Sequence, residues 1–189
     1  MKRREFNTYL QRSAISLALL PWMQAIAAPA ERDRPWRVNP FALGVASGRP
    51  RPDSVVLWTR LVFGDEDRAA VTEALRVQVD VFADAATKRR VQTTEVVTDA
   101  SRAHSVHVHL QHLQPSTSYW YRFSQGDARS TVGHTRTAPA PNADVRELRI
   151  ALSSCQHYEQ GQYIAHAEIA KQKLDFVLFM GDYIYESSN

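Results

Sequence analysis

The amino-acid sequence predicts a multidomain protein in which an all-β sandwich is followed by the first βαβ unit of an α/β domain. The first observation is a series of short runs rich in β-branched and aromatic residues, which recur between turn signals from about residue 41 to residue 137. The second is a change of pattern after residue 145 to strand, helix and strand. The proline-containing segment between them, residues 139–145, is typical of a linker between domains.

The sandwich domain is predicted over residues 40–138. Its expected strands are residues 41–47, 55–59, 75–82, 90–98, 105–110, 118–124 and 131–137. In the third of them, Val77, Val79 and Val81 share one face and polar residues share the other, which is the alternation of a half-buried strand. Seven short strands without a helical period are typical of two packed sheets. The polar residues 28–39 are predicted to be a linker or an arm lying over the domain.

The segment "LQPSTSY", residues 113–119, resembles the Leu-x-Pro-x-Thr-x-Tyr signature at a strand corner of fibronectin type III domains. In such a corner the tyrosine ring packs into the sandwich and its hydroxyl bonds to backbone upstream. The resemblance implies a fibronectin type III-like sandwich with Tyr119 buried between the sheets. A proline turn before an aromatic strand is the alternative.

The second domain is predicted over residues 146–189 and begins with a parallel strand pair. Residues 148–152 form the first strand, residues 163–173 have a helical apolar period, and residues 176–180 form the second strand. The second strand is almost wholly apolar, as is typical of a strand buried on both faces. Parallel strands need a crossover connection, and a helix of this length supplies one.

Residues 1–27 have the three-part layout of an export signal. A basic start is followed by an apolar stretch at 14–23 and by small residues at 25–27 that suit a signal peptidase. The apolar stretch is about half the ~20 residues of a membrane span, so we expect no membrane anchor. The sequence "RREF", with Arg3 and Arg4, resembles a twin-arginine signal. It implies the twin-arginine translocon as a partner and a periplasmic or secreted protein; an ordinary Sec signal is the alternative.

The distribution of charge argues against a nucleic-acid-binding protein. The formal net charge is +3, and the charged residues of the predicted export signal account for all of it. The remainder of the chain is therefore formally neutral and offers no basic surface to a phosphate backbone.

Ligand-capable side chains follow both predicted strands of the second domain. Cys155, the one cysteine of the chain, follows the first strand, and Asp182 follows the second. Parallel pairing would place both at the same edge of the sheet, where ligands collect in open α/β folds. An acid carried there by a buried strand is costly unless it is paired, and a cation is its natural partner. Tyr185, three positions later, could return its phenolate oxygen to the same centre.

These three donors form a mixed set. Sulfur favours soft or borderline metals, whereas anionic oxygen favours hard ones. Ferric iron accepts all three, and zinc rarely takes tyrosine. A carboxylate can also bridge two metal ions, which is the arrangement that clamps the attacking and leaving oxygens in phosphoester hydrolysis.

Each donor also has an ordinary structural interpretation. Cys155 could be a buried small side chain or a free thiol, since it has no cysteine partner. Asp182 could be a turn residue after glycine. One of Tyr183 and Tyr185 could be a packing residue.

The histidines have simpler interpretations than a second metal site. His107 and His109 share a face with polar residues and alternate with apolar ones, which is typical of the solvent side of a strand, and His104 precedes them. His157 and Tyr158, just after the cysteine, could line the mouth of the site.

Four segments of the sequence match one known family in the same order. They are "PFALGVASGRPRPDSVVLWTRL" (residues 40–61), "YWYRF" (119–123), "SSCQ" (153–156) and "GDYIYE" (181–186). Together they closely resemble the N-terminal part of the alkaline phosphatase D (PhoD-like) family. The resemblance implies exported phosphatases with a β-sandwich before a metallophosphatase domain. It also implies a centre of ferric iron (Fe3+) and calcium (Ca2+) that hydrolyses phosphomonoesters and phosphodiesters.

By position in these motifs, Cys155 matches the thiolate ligand of the iron. Asp182 matches the catalytic aspartate that bridges iron and calcium, and Tyr185 matches the iron-bound tyrosine. The family draws further aspartate, asparagine and histidine ligands from later in a longer domain. The chain ends at Asn189, so we expect an N-terminal fragment that is inactive alone, or a truncated reading frame. The alternative is a non-catalytic exported β-sandwich protein with a remnant of a hydrolase domain.

Overall fold

The structure of the chain is a computed structural model that describes residues 35–157, 159, 161–183 and 185. Its elements are β1 (Val45–Gly48), β2 (Val55–Arg60), α1 (Asp65–Ala70), β3 (Leu75–Phe82), β4 (Arg90–Thr98), a 3-10 helix (Ala100–Arg102), β5 (Ser105–Leu110), β6 (Ser118–Gln125), β7 (Ala128–Arg129), β8 (Gly133–Arg136), β9 (Ile150–Ser153), α2 (Ile164–Lys171) and β10 (Phe176–Phe179). The predicted export signal, with Arg3 and Arg4, lies outside the described residues.

Two antiparallel sheets contain most of the strands. In one, β2 pairs with β1 and with β5; in the other, the order is β4, β3, β6 and β7, and β8 also pairs with β6. Buried apolar residues of both sheets form one hydrophobic cluster. The alternation predicted for β3 is confirmed, because Val77, Val79 and Val81 are buried in this cluster. We call these two sheets and their common core the sandwich.

A two-stranded sheet follows the sandwich. In it β9 pairs in parallel with β10, and α2 lies between them in the chain. The helix is shorter than the predicted 163–173, because Tyr163 has a left-handed backbone (φ 53°) and Gln172 is extended. The first strand starts at Ile150, two residues later than predicted.

The expectation that residues 176–180 are buried on both faces is wrong. Phe176 is 39% exposed and Leu178 is 49% exposed. Between the described residues, β10 pairs with β9 and the ring of His166 in α2 stacks on Phe179 (centroids 5.7 Å apart), but no helix packs broadly on a face of β10. An apolar run therefore identifies a strand that favours burial. Whether the strand is buried depends on neighbouring elements, which the run itself does not specify.

The sandwich also contains a short α-helix that no sequence pattern indicated. Helix α1 has six residues, most of them charged, and carries no apolar period by which it could be recognised. Its acidic first turn suits the helix dipole. Within it Asp67 is buried, and its Oδ2 accepts hydrogen bonds from the backbone N–H groups of Arg37 (3.1 Å) and Val38 (3.3 Å). The helix thus fastens the chain that enters the sandwich.

The strand boundaries differ at both ends of the sandwich. β1 begins at Val45, because the preceding residues form a turn in which the N–H of Gly44 donates to the carbonyl oxygen of Phe41 (3.0 Å). Gly44 has a φ of 72°, which glycine adopts without strain. The last strand of the sandwich, β8, is shorter than the predicted residues 131–137.

The chain in front of β1 packs into the sandwich. Trp36 is buried, and its indole Nε1 donates to Oε1 of Gln125 (2.8 Å). Its ring stacks on Phe63 with centroids 5.1 Å apart. Asn39 donates from Nδ2 to the carbonyl oxygen of Arg129 (2.9 Å). These contacts hold part of the segment predicted as a linker or arm against the domain.

The predicted corner at Tyr119 is confirmed. Tyr119 is 5% exposed, and its hydroxyl accepts a hydrogen bond from the backbone N–H of Gln114 (2.9 Å). The hydroxyl of Thr137 accepts from the N–H of Thr117 (3.0 Å) and donates to the carbonyl oxygen of Gln114 (2.6 Å). The side chains of Tyr119, in β6, and Thr137, directly after β8, thereby satisfy backbone groups of the corner.

The histidines of β5 face solvent, as predicted. His107 and His109 are exposed, whereas the apolar residues between them are buried. His104 lies edge-on to Phe63, with ring centroids 4.8 Å apart. Its burial lowers the pKa of His104 below the usual value, against the opposite effect of the Asp99 carboxylate. No observation favours a metal site among these side chains.

Substitution of Tyr119 tests the corner. Tyr119→Phe should cost about 1–3 kcal/mol, because the N–H of Gln114 loses its partner. Tyr119→Ala should cost about 3–5 kcal/mol, since it also leaves a large cavity. Both are measured by urea unfolding followed through tryptophan fluorescence. A phenylalanine variant as stable as the parent would show that the hydroxyl bond contributes nothing.

Gly133 in β8 lies directly opposite Tyr121 in β6. A Cβ at Gly133 would come within 2.7 Å of Cε1 of the Tyr121 ring. Tyr121 is 1% exposed, and burial raises the pKa of Tyr121 to about 12, partly opposed by a hydrogen bond with Ser47. The absence of a side chain at Gly133 therefore makes room for a fully buried ring.

We expect Gly133→Ala to destabilise the sandwich by about 1–3 kcal/mol, the usual cost of overpacking a core. Gly48→Ala is the matched control, because Gly48 is also in a strand and an added Cβ there would meet nothing within 4 Å. The measurement is chemical unfolding of the two variants beside the parent. Equal stability of the two variants would contradict the close contact with Tyr121.

Candidate metal centre

The carboxyl ends of β9 and β10 meet at one edge of the two-stranded sheet. The register places Ser153 opposite Phe179. Beyond the last rung the pairing continues, because the N–H of Met180 donates to the carbonyl oxygen of Ser153 (2.8 Å) and the N–H of Cys155 donates to that of Gly181 (3.2 Å). Both strands therefore leave the sheet side by side.

Cys155 and Asp182 come together at this edge. Sγ of Cys155 lies 3.5 Å from Oδ2 of Asp182, although the two residues are 27 positions apart in sequence. Both have a left-handed backbone, with φ of 56° at Cys155 and 50° at Asp182. Such a backbone is uncommon outside glycine, and strained residues cluster at functional sites. The local geometry turns the thiol and the carboxyl toward each other.

Tyr185 lies beside the same pair. Desolvation raises the pKa of Tyr185, and the negative charges of Asp182 and Cys155 raise it further, together with a hydrogen bond to Cys155. The ring of His157 lies against the Tyr185 ring, with centroids 4.6 Å apart. Tyr158 is outside the described residues. The structure thus brings the three predicted donors together, with His157 at their border.

Cys155 is exposed. Its interpretation as a buried packing residue is therefore wrong. Tyr183 is 73% exposed, and its ring packs edge-on against that of Phe179, with centroids 4.8 Å apart. The side chains at this edge are accessible to a ligand.

Cys155, Asp182 and Tyr185 are all possible metal ligands, but they are few. Between the described residues there is no group of three or more His, Cys, Asp or Glu side chains that could hold a metal ion. The cluster of Cys155, Asp182 and Tyr185 offers one sulfur donor and two kinds of oxygen donor. The raised pKa of Tyr185 shows that the cluster disfavours another negative charge, and a bound cation would reverse this effect.

Comparison with known proteins decides the family. The model for "PhoD-like phosphatase, N-terminal domain" matches residues 26–139, and the model for "PhoD-like phosphatase" matches residues 150–189. The chain belongs to the PhoD-like phosphatase family. Both matches agree with the resemblance found in the sequence.

Two relatives show how much of the family this chain contains. It is 46% identical over 148 residues to alkaline phosphatase D of Bacillus subtilis (strain 168), an alignment that covers 78% of the chain and 25% of the relative. It is also similar to a solved structure of PhoD, with a TM-score of 0.76 and 44% identity, over 81% of this chain and 30% of the other. The chain therefore spans about a quarter of the length of its curated relative.

No helix in the part of the chain that the structure describes has the length and apolar character needed to cross a membrane.

Removal of the Asp182 charge tests the geometry of the cluster. In the metal-free chain, Asp182→Asn should lower the pKa of Tyr185 toward its usual value, because a nearby negative charge no longer opposes formation of the phenolate. The measurement is the ultraviolet absorbance of tyrosinate against pH, with Tyr185→Phe identifying the relevant component. Glu159→Gln is the control and should leave that component unchanged. An unaltered titration in Asp182→Asn would place the carboxylate away from the phenol.

Proposed function

We propose that the chain is the N-terminal part of an exported, metal-dependent phosphoester hydrolase of the alkaline phosphatase D type. The observation that supports it most is the 3.5 Å contact of Cys155 with Asp182, beside Tyr185, at the edge where parallel strands present ligands. Membership in the PhoD-like phosphatase family gives this edge a known chemical context. Phosphomonoesters and phosphodiesters are the proposed substrates.

The finer architecture is part of the proposal. Residues 40–138 would be a fibronectin type III-like sandwich, which the corner at Tyr119 supports. Residues 146–189 would start the metallophosphatase domain, with β9, α2 and β10 as its first βαβ unit. Residues 28–39 and 139–145 would connect these parts.

In the proposed centre, Cys155 and Tyr185 would hold ferric iron, and the Asp182 carboxylate would bridge iron and calcium. When bound, the metal ions would offset phosphate charge and lower the pKa of a bound water. The contribution of this chain would be to position the side chains of Cys155, Asp182 and Tyr185. Asp182 would help to hold both ions, whereas Cys155 and Tyr185 would hold iron alone, so its loss should be worse than the loss of Cys155 or Tyr185. The anionic sulfur and oxygen donors would favour the ferric state.

Export is proposed from the sequence of residues 1–27. Arg3 and Arg4 would be read by the twin-arginine translocon and would place the protein in the periplasm or outside the cell. This route exports folded proteins, so a metal centre could assemble before export.

A chimera tests the proposed chemistry. In alkaline phosphatase D of Bacillus subtilis, the matching 148 residues are replaced by those of this chain, to which they are 46% identical. The chimera should release phosphate from p-nitrophenyl phosphate. Asp182→Ala should lower its kcat/KM by more than about a hundredfold, since even the outer partners of a metal typically contribute 10–100-fold. The 189-residue chain alone should show no turnover, because its three donors leave most coordination positions to water.

Matched variants make the result specific. Asp144→Ala removes an exposed carboxylate of the connecting segment and should leave the activity of the chimera unchanged. Cys155→Ser and Tyr185→Phe should lose less than Asp182→Ala. The proposal is wrong if Asp182→Ala retains parental activity in a chimera whose thermal unfolding is unaltered.

A further inference from the structure

Asp175, one residue before β10, contacts both the strand pair and the sandwich. Its backbone N–H donates to the carbonyl oxygen of Arg149 (2.8 Å), and its Oδ2 accepts from the N–H of Arg149 (2.9 Å). Its Oδ1 accepts from Nη1 of Arg136, the last residue of β8 (3.0 Å). No sequence motif includes Asp175. The one available signal was an acid directly before an apolar strand.

The two hydrogen bonds between Asp175 and Arg149 extend the pairing of β9 and β10 at the N-terminal ends of these strands. Arg149 directly precedes β9, as Asp175 directly precedes β10, and the first residues of the two strands are opposite each other. From there the ladder runs without interruption to the N–H of Met180 and the carbonyl oxygen of Ser153. The candidate metal centre lies just beyond. A contact that holds Asp175 in place therefore also holds one end of the β9–β10 pairing. The candidate metal centre is at the other end of this pairing.

Contact between the sandwich and the strand pair is slight. Between the described residues, no strand of the sandwich packs broadly against β9, α2 or β10. Two ion pairs of the connecting segment are local to it, namely Arg146 with Asp144 and Arg149 with Glu147. A cleft of about 370 Å³ opens beside Asp175, between this segment and the end of β8. Where two parts of a chain touch so little, a polar contact such as Arg136 with Asp175 has a large effect on their relative orientation.

We propose that Asp175 is a positioning residue that docks the β9–β10 pair on the sandwich through Arg136. The side chains of Arg136 and Asp175 are 49% and 30% exposed, and ion pairs at such exposure add little to stability. The role of the contact is therefore directional: it sets how the edge with Cys155 and Asp182 faces relative to the sandwich. This inference concerns the joining of the two parts and does not depend on the proposed phosphatase activity.

Backbone 15N relaxation of the full chain tests the docking. The sandwich and the strand pair should share one rotational correlation time in the parent. Arg136→Gln should weaken this docking so that the two correlation times differ, while amide protection in β9 and β10 stays unchanged because the bonds with Arg149 remain. Arg136→Lys should restore the shared value, since the contact uses one nitrogen and one oxygen and needs no planar fork.

Variants of Asp175 separate its contact with Arg136 from its hydrogen bonds with Arg149. Asp175→Asn should behave like Arg136→Gln, because the amide oxygen still accepts from the N–H of Arg149. Asp175→Ala should in addition lose amide protection at the start of β9. In the parent, salt near 1 M, where the Debye length is about 3 Å, should reproduce the effect of Arg136→Gln.

The matched control breaks a different ion pair. Glu95→Gln removes the contact with Arg76 within the sandwich (2.7 Å, both side chains 45% exposed) and should leave correlation times and protection unchanged. A shared correlation time that persists in Arg136→Gln would overturn the proposal. So would an equal loss in Glu95→Gln, since it would show a general effect of surface charge.

Discussion

The parallel register of β9 and β10 is the constraint on which the candidate centre depends. Cys155 and Asp182 are 27 positions apart and meet because the two strands end at the same edge. A tight turn cannot join parallel strands, so the chain needs the crossover that contains α2. The strand–helix–strand arrangement therefore brings two donors that are distant in sequence to 3.5 Å from each other. A slip of one residue in the register would turn every side chain of one strand to the other face.

The backbone at this edge is strained, and the hydrogen bonds between the two strands prevent it from relaxing. Left-handed conformations at Cys155 and Asp182 each cost on the order of 1–3 kcal/mol for residues other than glycine. The bond from the N–H of Cys155 to the carbonyl oxygen of Gly181 joins the two strained turns directly. Neither turn can relax without breaking the pairing beyond the last rung. The pairing of the two strands therefore fixes the backbone from which the thiol and the carboxyl approach each other.

Much of the sandwich could be predicted from the sequence because its strands have one buried face. Alternation at Val77, Val79 and Val81 marks that face directly, and the corner at Tyr119 is encoded in seven consecutive residues. Helix α1 could not be predicted, since it is held by the tertiary contact of Asp67 with the incoming chain. Apolar composition located β10 correctly and gave its burial wrongly, because burial depends on neighbouring layers that a single strand does not specify.

The candidate centre was only partly predictable for a related reason. Strand ends identified Cys155 and Asp182, since topology alone fixes where parallel strands finish. The contacts of Asp175 depend on the orientation of the strand pair against β8, which no local pattern encodes. His157 was placed at the mouth of the site by its position just after Cys155, but its contact with the Tyr185 ring depends on where a second, separate loop runs.

The electrostatics at this edge supports the proposal that Cys155, Asp182 and Tyr185 bind a ligand. A structural carboxylate normally has a basic partner or several N–H donors, as Asp67 has in α1. Among ion pairs between described residues, none involves Asp182, and its side-chain contact is with the thiol of Cys155. The neighbouring phenol responds to this arrangement, because the acid and the thiol both raise the pKa of Tyr185. Asp182 and Cys155 disfavour ionisation of the Tyr185 phenol, and a bound cation would reverse this effect on the phenol.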